Sequence, residues 1–189
     1  PEDFEVNEGH GNIINDTQKN QIRFWKWLNP NKTCEIPPGA THNIGATALL
    51  IDRQEGKVML VVPKHRPNSY NLPGGNYCSS DQNPLQTAFR EAQEEVGFSP
   101  RLEVLSAETV RLIGIMEFPR NQFAPAINQI RALFVDGLSL RTVSPPDHEI
   151  LAADWIDIAS VLSCGGTING RKVGEEIIYS LSSALEGLG

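Results

Sequence analysis

The chain has 189 residues, of which 40% are hydrophobic and 21% are charged, and its formal net charge at pH 7 is −7. This length suits one ordinary domain with an extension, and the acidic balance argues against a broad electrostatic grip on nucleic acid. No apolar run approaches the roughly 18 residues of a membrane span, and no secretory signal pattern is seen, so we expect a cytoplasmic protein that does not bind membranes. Three cysteines without CxxC spacing indicate neither a disulfide framework nor a zinc site.

Residues 1–40 are predicted to form an N-terminal extension with one aromatic-rich helix. The helix begins at Asp16 or Thr17, and Pro30 ends it. Its apolar face comprises Ile22, Phe24, Trp25, Trp27 and Leu28. Packing on the main domain is the simplest role for this face, while a partner-binding surface, a membrane surface and a homodimer interface remain alternatives.

Residues 41–189 are predicted to form the main domain, which mixes strands and helices. Alternating or continuous apolar patterns predict the strands, and Gly-rich or polar turns separate them. The predicted strands cover residues 44–51, 57–63, 108–118, 129–135 and 149–156. A short helix is predicted over residues 157–162 and a final helix over residues 173–188.

Between the second and third of these strands, residues 84–96 are predicted to form a short helix. Asn83 suits the N-cap, Pro84 the first helical position, and Gly97 a left-handed C-terminal cap. Gln86 falls where a capping-box partner belongs. At about 100° per residue, the core-facing positions are Leu85, Ala88, Phe89, Ala92 and Val96.

Three carboxylates, those of Glu91, Glu94 and Glu95, share another face of this helix. Like charges at these spacings repel by a few tenths of a kcal/mol per pair, and the helix dipole disfavours anions towards the C-terminus. A bound divalent cation would reverse both effects, because Mg²⁺ takes carboxylate oxygens as ligands. A solvated acidic helix face is the alternative interpretation.

The helix follows a Leu72-Pro73-Gly74-Gly75 turn and ends in Arg-Glu-Ala-Gln-Glu-Glu-Val-Gly-Phe over residues 90–98. Together these segments resemble the Nudix box, Gly-x5-Glu-x7-Arg-Glu-apolar-x-Glu-Glu-x-Gly-apolar, and the second half matches position for position. The first half departs from the pattern, since Asp81 stands where the box has glutamate and one extra residue precedes the helix. In the family that glutamate mainly pairs with the box arginine, so Asp81 is expected to be its substitute.

The resemblance to the Nudix hydrolases implies an α/β (α+β) fold, with a mixed central sheet sandwiched between helices. It also implies a Mg²⁺ site, with Mn²⁺ as the other candidate ion, and Arg90 as a residue that orients the carboxylates. The implied metal ligands are the Gly75 carbonyl, Glu91, Glu94, Glu95 and Glu149.

The general base implied by the resemblance is Glu149, which precedes a Trp-containing strand. Glu94 is the fallback, and Glu117 is the rival to Glu149. Arg66, in a basic cluster after the second strand, is the preferred phosphate contact. Phe123 lies in a loop where an aromatic ring could stack on a base.

By the same resemblance, the substrate is a small nucleotide-type molecule, a nucleoside diphosphate linked to another moiety. ADP-ribose and NADH are the first candidates, and the reaction is metal-assisted hydrolysis of the phosphoanhydride. Two other functions stay open. One is a Nudix-fold binding or regulatory module without turnover, and the other is a nucleoside-triphosphate pyrophosphatase.

Overall fold

The strands and helices of the chain build one mixed sheet with helices on both of its faces. The computed structural model describes residues 12–15, 22–25, 42–98, 109–118, 126–136, 149–186 and 188. Within these ranges no helix combines the length and the apolar character that crossing a bilayer requires.

The elements follow one another in an order that alternates paired strands with single helices. They are β1 (Asn12–Asn15), β2 (Ile22–Trp25), β3 (His42–Asp52), β4 (Lys57–Pro63), β5 (Gly74–Asn76), α1 (Pro84–Val96), β6 (Val110–Phe118), β7 (Ala126–Asp136), β8 (Ile150–Asp157), α2 (Ile158–Ser163), β9 (Thr167–Ile168), β10 (Arg171–Lys172) and α3 (Glu175–Glu186).

The main sheet has the strand order β1-β2-β6-β7-β3-β4-β8, and β5 pairs with β3 beside this path. Strands β3 and β7 are parallel, from the pair His42 and Ala126 to the pair Asp52 and Asp136, and the other strand pairs of the sheet are antiparallel. Central strands covered on both faces are expected to be apolar without alternation. Residues 45–51 and 130–135 are accordingly buried almost without interruption. The expected mixed sheet between helices is confirmed.

Two hydrophobic cores lie on opposite faces of this sheet. On one face α1 buries Ala88 and Ala92 against a cluster that includes Phe134 of β7. On the other face α3 buries Ile177 and Leu181 against a cluster that includes Leu49 of β3. Because neighbouring strand residues point to opposite faces, a residue's position along its strand tells which helix it faces.

The helix predicted in the N-terminal extension is wrong for the residues that the structure describes. Residues 22–25 form strand β2, which pairs with β1 on one side and with β6 on the other. Their sequence, Ile-Arg-Phe-Trp, is rich in β-branched and aromatic residues, which favour strands. Residues 115–117 of β6 form backbone hydrogen bonds with β2, and these bonds hold residues 23–25 in an extended conformation. Trp27 and Leu28 lie outside the described residues.

Strands β9 and β10 form a hairpin that the sequence pattern did not predict. The turn between them, Asn169-Gly170, was predicted, and both of its residues have positive φ, 50° and 75°. Such a pair suits the tight two-residue turn of a β-hairpin. Two-residue strands are too short to show an alternating pattern, so only the turn between them could be predicted.

One end of the main sheet brings several chain segments together. The starts of β3 and β7 lie side by side, and the end of β6 meets the start of β7 through Phe118 and Ile127. The end of β4 meets the start of β8 through Pro63 and Ile150. Strand β5 pairs with residues 45–47 near the start of β3. The Gly-Gly turn therefore lies at the same end of the sheet as the residues that follow β4 and precede β8.

Candidate active site

The Gly-Gly turn packs so closely against its neighbours that side chains at its two glycines would clash. A Cβ atom on Gly74 would lie 2.5 Å from the Ala46 carbonyl oxygen. A Cβ atom on Gly75 would lie 2.5 Å from the carboxylate atoms of Glu91. Glycine permits this approach of backbone to side chain. The turn therefore brings the backbone at Gly75 directly to the Glu91 carboxylate.

Helix α1 begins and ends as its sequence predicts. The Asn83 side chain accepts a hydrogen bond of 2.9 Å from the Gln86 N–H, and Gly97 closes the helix with φ of 68°. Ala88, Ala92 and Val96 are buried, with Leu85 and Phe89 packed against the same core. The capping box differs in one bond, because the Gln86 side chain accepts from the N–H of Gln82 rather than from that of Asn83. The cap thus extends one residue into the loop that contains the extra residue.

Asp81 is nearly buried, with 3% of its side chain exposed, and binds Arg90 with both carboxylate oxygens. The distances are 3.0 Å to Arg90 Nε and 3.1 Å to Arg90 Nη2. Asp81 also accepts hydrogen bonds from the Cys78 N–H and the Thr87 hydroxyl. The expected pairing of Asp81 with the box arginine is confirmed.

These contacts shift the protonation equilibria of both partners. Burial raises the pKa of Asp81, but the hydrogen bonds from Arg90, Cys78 and Thr87 outweigh it and lower the pKa to about 2. Hydrogen bonding to Asp81 raises the pKa of Arg90, against an opposing contribution from burial. The pair is therefore fully ionised over the whole physiological pH range.

Besides Asp81, Arg90 contacts two carboxylates of α1 and the backbone at Asn76. Its Nη1 lies 2.8 Å from Glu91 Oε1 and 3.3 Å from Glu94 Oε2. Its Nη2 donates to the carbonyl oxygen of Asn76, directly after the Gly-Gly turn. One guanidinium thus fixes the carboxylates of α1 relative to β5.

Two of the three helix carboxylates face the Gly-Gly turn. Glu91 lies against Gly75, and Glu95 accepts a hydrogen bond of 3.0 Å from the Gly74 N–H. Glu94 is more open, with 52% of its side chain exposed. Burial raises the pKa of Glu91, with smaller raising contributions from the charges of Glu94 and Asp81, while Arg90 opposes the shift. The site therefore concentrates negative charge that a cation would neutralise.

The donor set at the turn fits a hard divalent cation, because all the candidate ligands are carboxylate or carbonyl oxygens. In the part of the chain that the structure describes, no three acidic, histidine or cysteine side chains are gathered closely enough to hold an ion by themselves. Mg²⁺ commonly binds through one or two carboxylates, and water and substrate phosphates complete its coordination. The oxygens of Glu91, Glu95 and Gly75 suit that mode of binding.

Three further predicted site residues, Glu149, Glu117 and Arg66, lie at the same end of the sheet but in different surroundings. Glu149 is exposed, and its carbonyl oxygen accepts from the Lys64 N–H beside the start of β8. Glu117 of β6 stands opposite Asn128 and, two residues after Ile115, on the face of the sheet that α1 covers. Arg66 instead lines a cavity beside the start of α3, on the other face. Phe123 lies outside the described residues.

A buried arginine near the site escaped prediction. Arg131 of β7 is 2% exposed, and its Nη1 donates a hydrogen bond of 2.6 Å to the Thr47 hydroxyl. Thr47 is the β3 residue opposite Gly74, so Arg131 supports the strand on which the turn rests. Burial lowers the pKa of Arg131 to about 10, with the charge of Glu176 opposing the shift. A lone cation in the otherwise apolar run of residues 130–135 was the sequence signal that could have identified it.

The sequence of the chain matches that of known proteins over most of its length. The NUDIX domain family matches residues 41–177. A relative from Xenopus laevis, the "Nucleoside diphosphate-linked moiety X motif 6" protein, is 24% identical over 171 residues. That match covers 89% of this chain and 75% of the relative.

Solved structures share the fold at lower sequence identity. The E. coli dihydroneopterin triphosphate pyrophosphohydrolase is 13% identical, with a TM-score of 0.55, over 75% of this chain and 95% of that one. A bifunctional NMN adenylyltransferase/ADP ribose pyrophosphatase from Francisella tularensis, complexed with AMP and a manganese ion, is 20% identical. Its TM-score is 0.57, and the match covers 78% of this chain and 42% of that one. With the NUDIX domain matching well over half of the sequence, the chain belongs to the Nudix hydrolase family.

Proposed function

We propose that this Nudix hydrolase cleaves the phosphoanhydride bond of a nucleoside diphosphate linked to another moiety, by metal-dependent attack of water on phosphorus. The observation that supports the proposal most is the network around Arg90, which joins Asp81, Glu91, Glu94 and the Asn76 carbonyl. Such a network holds several carboxylates at fixed positions beside a backbone turn. Orientation of this kind is what phosphoryl transfer requires of a protein.

In this proposal the oxygens of Glu91, Glu94, Glu95, Glu149 and Gly75 hold Mg²⁺ or Mn²⁺. The bound cation supplies neutralisation of the diphosphate charge and a lower pKa for a coordinated water. The chain's own part is to keep the ligands ionised and in place. Asp81 and Arg90 do so without contacting substrate, because the Asp81 carboxylate is buried and both of its oxygens are used.

Glu149 is the proposed general base, with Glu94 as its fallback and Glu117 as its rival. Glu149 lies at the same end of the sheet as the Gly-Gly turn, and its side chain is exposed. Glu94 is closer to the carboxylate cluster through its contact with Arg90, which ties down one side of its carboxylate. A base must come within hydrogen-bonding distance of its water, and an exposed side chain before a strand has the freedom to do so.

The names of similar proteins, rather than the geometry of the site, support the proposed substrate class. The Xenopus laevis relative is named for a nucleoside diphosphate linked to a further moiety, and the Francisella tularensis protein is named an ADP ribose pyrophosphatase. ADP-ribose and NADH are therefore the first substrates to test. Phe123 is proposed to stack on a base of the substrate, and Arg66 to contact one of its phosphates.

A ligand-binding module without turnover is the second candidate function. The observation that favours it is that, among the described residues, the acidic side chains do not already form a group that encloses a metal. The same nucleotides would then bind without being cleaved.

The decisive experiment incubates the purified protein with Mg²⁺ and a panel of dinucleotides, nucleotide sugars and nucleoside triphosphates, and measures the phosphomonoesters released. We expect turnover of at least one dinucleotide or nucleotide sugar. Replacing Glu95 by Gln should lower kcat about 10²-fold or more, and Glu149→Gln should lower kcat to a similar extent, far more than it weakens metal affinity.

Glu186→Gln at the exposed end of α3 is the matched control and should retain full activity. Binding of the panel without turnover would favour the module instead. A Glu149→Gln variant within about twofold of the parent would transfer the role of base to Glu94 or Glu117.

A further inference from the structure

A small cavity lies on the face of the sheet opposite α1, between the segment that follows β4 and the start of α3. Its volume is about 120 Å³, and its lining includes Arg66, Tyr70, Lys172 and Glu176. Tyr70 belongs to the hydrophobic core beneath α3, whereas the carboxylates of α1 lie over the other core. The cavity is therefore a different site from the Gly-Gly turn. It is larger than the space that one or two water molecules occupy.

The cavity collects positive charge in a protein whose formal net charge is −7. Arg66 and Lys172 both line it, and within the described ranges neither side chain makes a hydrogen bond or ion pair. Two cations facing one cavity repel each other, and the repulsion grows where solvent is partly excluded. An anion between them would convert this repulsion into attraction.

Glu176, the acidic residue of the lining, does not neutralise these cations by direct pairing. Its carboxylate folds back over Gly174, at the start of α3, and its charge acts on the buried guanidinium of Arg131. Arg131 is 2% exposed, and among the described residues no carboxylate forms an ion pair with it. Among the lining residues, Glu176 therefore leaves the charges of Arg66 and Lys172 without a paired carboxylate.

Backbone hydrogen bonds hold the segments that carry the two cations in a fixed relation. The Tyr70 N–H donates to the Lys172 carbonyl at 2.8 Å, and the Lys172 N–H donates to the Asn68 carbonyl at 2.9 Å. The Ser69 N–H donates to the Arg66 carbonyl at 3.1 Å. The backbone positions from which the two exposed side chains extend are thus fixed before binding, which lowers part of the entropic cost of binding a small ligand.

We propose that this cavity is an anion-binding site in which Arg66 and Lys172 hold a phosphate-type oxyanion. The oxyanion is either an additional phosphate of the substrate, on its nucleoside or its linked moiety and outside the diphosphate that is cleaved, or a free anion that acts as an effector. Both sources offer the same oxygens to the same two cations. Anion binding at this site requires neither metal nor turnover, while its assignment to the substrate rests on the function proposed above.

The test measures binding of inorganic phosphate and of pyrophosphate to the full chain by titration calorimetry, without any divalent metal. We expect saturable binding that weakens at least fivefold in Arg66→Gln and in Lys172→Gln. The matched controls are Arg53→Gln and Lys57→Gln, at the other end of β4, and they should bind as the parent does. Absence of saturable binding by the parent, or equal affinity in all four variants, would overturn the proposal.

Steady-state kinetics then distinguish the two sources. If the oxyanion belongs to the substrate, Lys172→Gln raises KM and added phosphate competes with the substrate in the parent. If it is an effector, phosphate changes kcat in the parent and no longer does so in Lys172→Gln. Because the binding measurement needs neither metal nor turnover, an inactive protein would leave the test of the cavity intact.

Discussion

Asp81 binds Arg90 in place of a glutamate because the backbone holds Asp81 close to α1. The turn over residues 78–81 is closed by the Asp81 N–H, which donates to the Cys78 carbonyl at 2.9 Å. The same carboxylate accepts from the Cys78 N–H, so the side chain is fixed at both ends of the turn. With the backbone brought this close to α1, a side chain shorter by one methylene reaches both Arg90 Nε and Nη2.

The lowered pKa of Asp81 predicts a specific acid sensitivity. Its pKa is about 2 in the folded protein against an ordinary value of 3.8, so the ionised form stabilises the fold. This stabilisation is present above about pH 4 and is lost as the pH falls from about 4 to about 2, and its size is about 2 kcal/mol. Urea unfolding followed across this range should therefore show a steeper loss of stability in the parent than in Asp81→Asn.

The control for this measurement is Asp157→Asn, at an exposed position at the end of β8. It should follow the slope of the parent. Equal slopes in the parent and in Asp81→Asn would contradict the assignment of the acid sensitivity to the Asp81–Arg90 pair.

At the scale of the element, β5 lies between β3 and the Glu91 carboxylate of α1, and only glycine fits at its first two positions. Gly75→Ala would place a methyl group against the Glu91 carboxylate, which must then move away from the turn. We expect at least a tenfold fall in kcat/KM and weaker Mg²⁺ binding, because the displaced carboxylate belongs to the proposed metal ligands. Isothermal titration with Mg²⁺ and assays on the panel measure the two effects.

Circular dichroism serves as the control for Gly75→Ala, because its far-ultraviolet spectrum should match that of the parent. Unchanged Mg²⁺ affinity and activity in a folded Gly75→Ala protein would show that Glu91 does not need its place beside the turn.

The elements whose signals are local were the ones that the sequence could predict. Helix α1 was predicted with its bounds because Asn83, Pro84 and Gly97 act within one turn of their own positions. Strand β2 was not, since its extended conformation depends on pairing with residues 115–117, some ninety positions further along the chain. The sequence of residues 22–25 does not show which strand they pair with. Their aromatic residues favour a strand but also occur on the apolar face of a helix, which is how they were interpreted.

In the candidate site, too, the residues within one helix could be predicted, whereas the surroundings of residues in loops could not. The spacing within α1 indicated Glu91, Glu94 and Glu95, because a helix converts sequence distance directly into spatial distance. The role of Arg90 was implied by the resemblance of residues 90–98 to the Nudix box. Arg66 was expected near the phosphates, but its position beside α3 depends on how the segment after β4 turns back, which the sequence does not encode locally. Loops place such residues, so their surroundings emerge only from the fold.

At the scale of the whole molecule, the carboxylates of the site lower the stability of the folded protein when no cation is bound. Their mutual repulsion and the burial of Glu91 oppose folding until a cation binds. A ligand that binds the folded state alone stabilises it by about 2.7 kcal/mol at a hundred times its Kd. Mg²⁺ should therefore raise the Tm of the parent by several degrees in a thermal scan, and removing it with a chelator should reverse the shift.

Glu95→Gln should show a clearly smaller rise in Tm, whereas Glu186→Gln should behave as the parent. A Tm that does not respond to Mg²⁺ or Mn²⁺ at millimolar concentration would argue that the ion binds only together with substrate.

The pairing of β2 with β6 has a practical consequence for anyone who shortens this protein. The part that matches the NUDIX domain, residues 41–177, excludes β2 and stops within α3. A fragment cut to those limits would expose the backbone of residues 115–117 of β6, which β2 covers, as an edge that can pair with other chains and aggregate. It would also remove Leu181 and Ala184, which α3 buries against the sheet. The stretch that identifies the family is thus shorter than the stretch that the structure uses to pair β6 and to cover its second core.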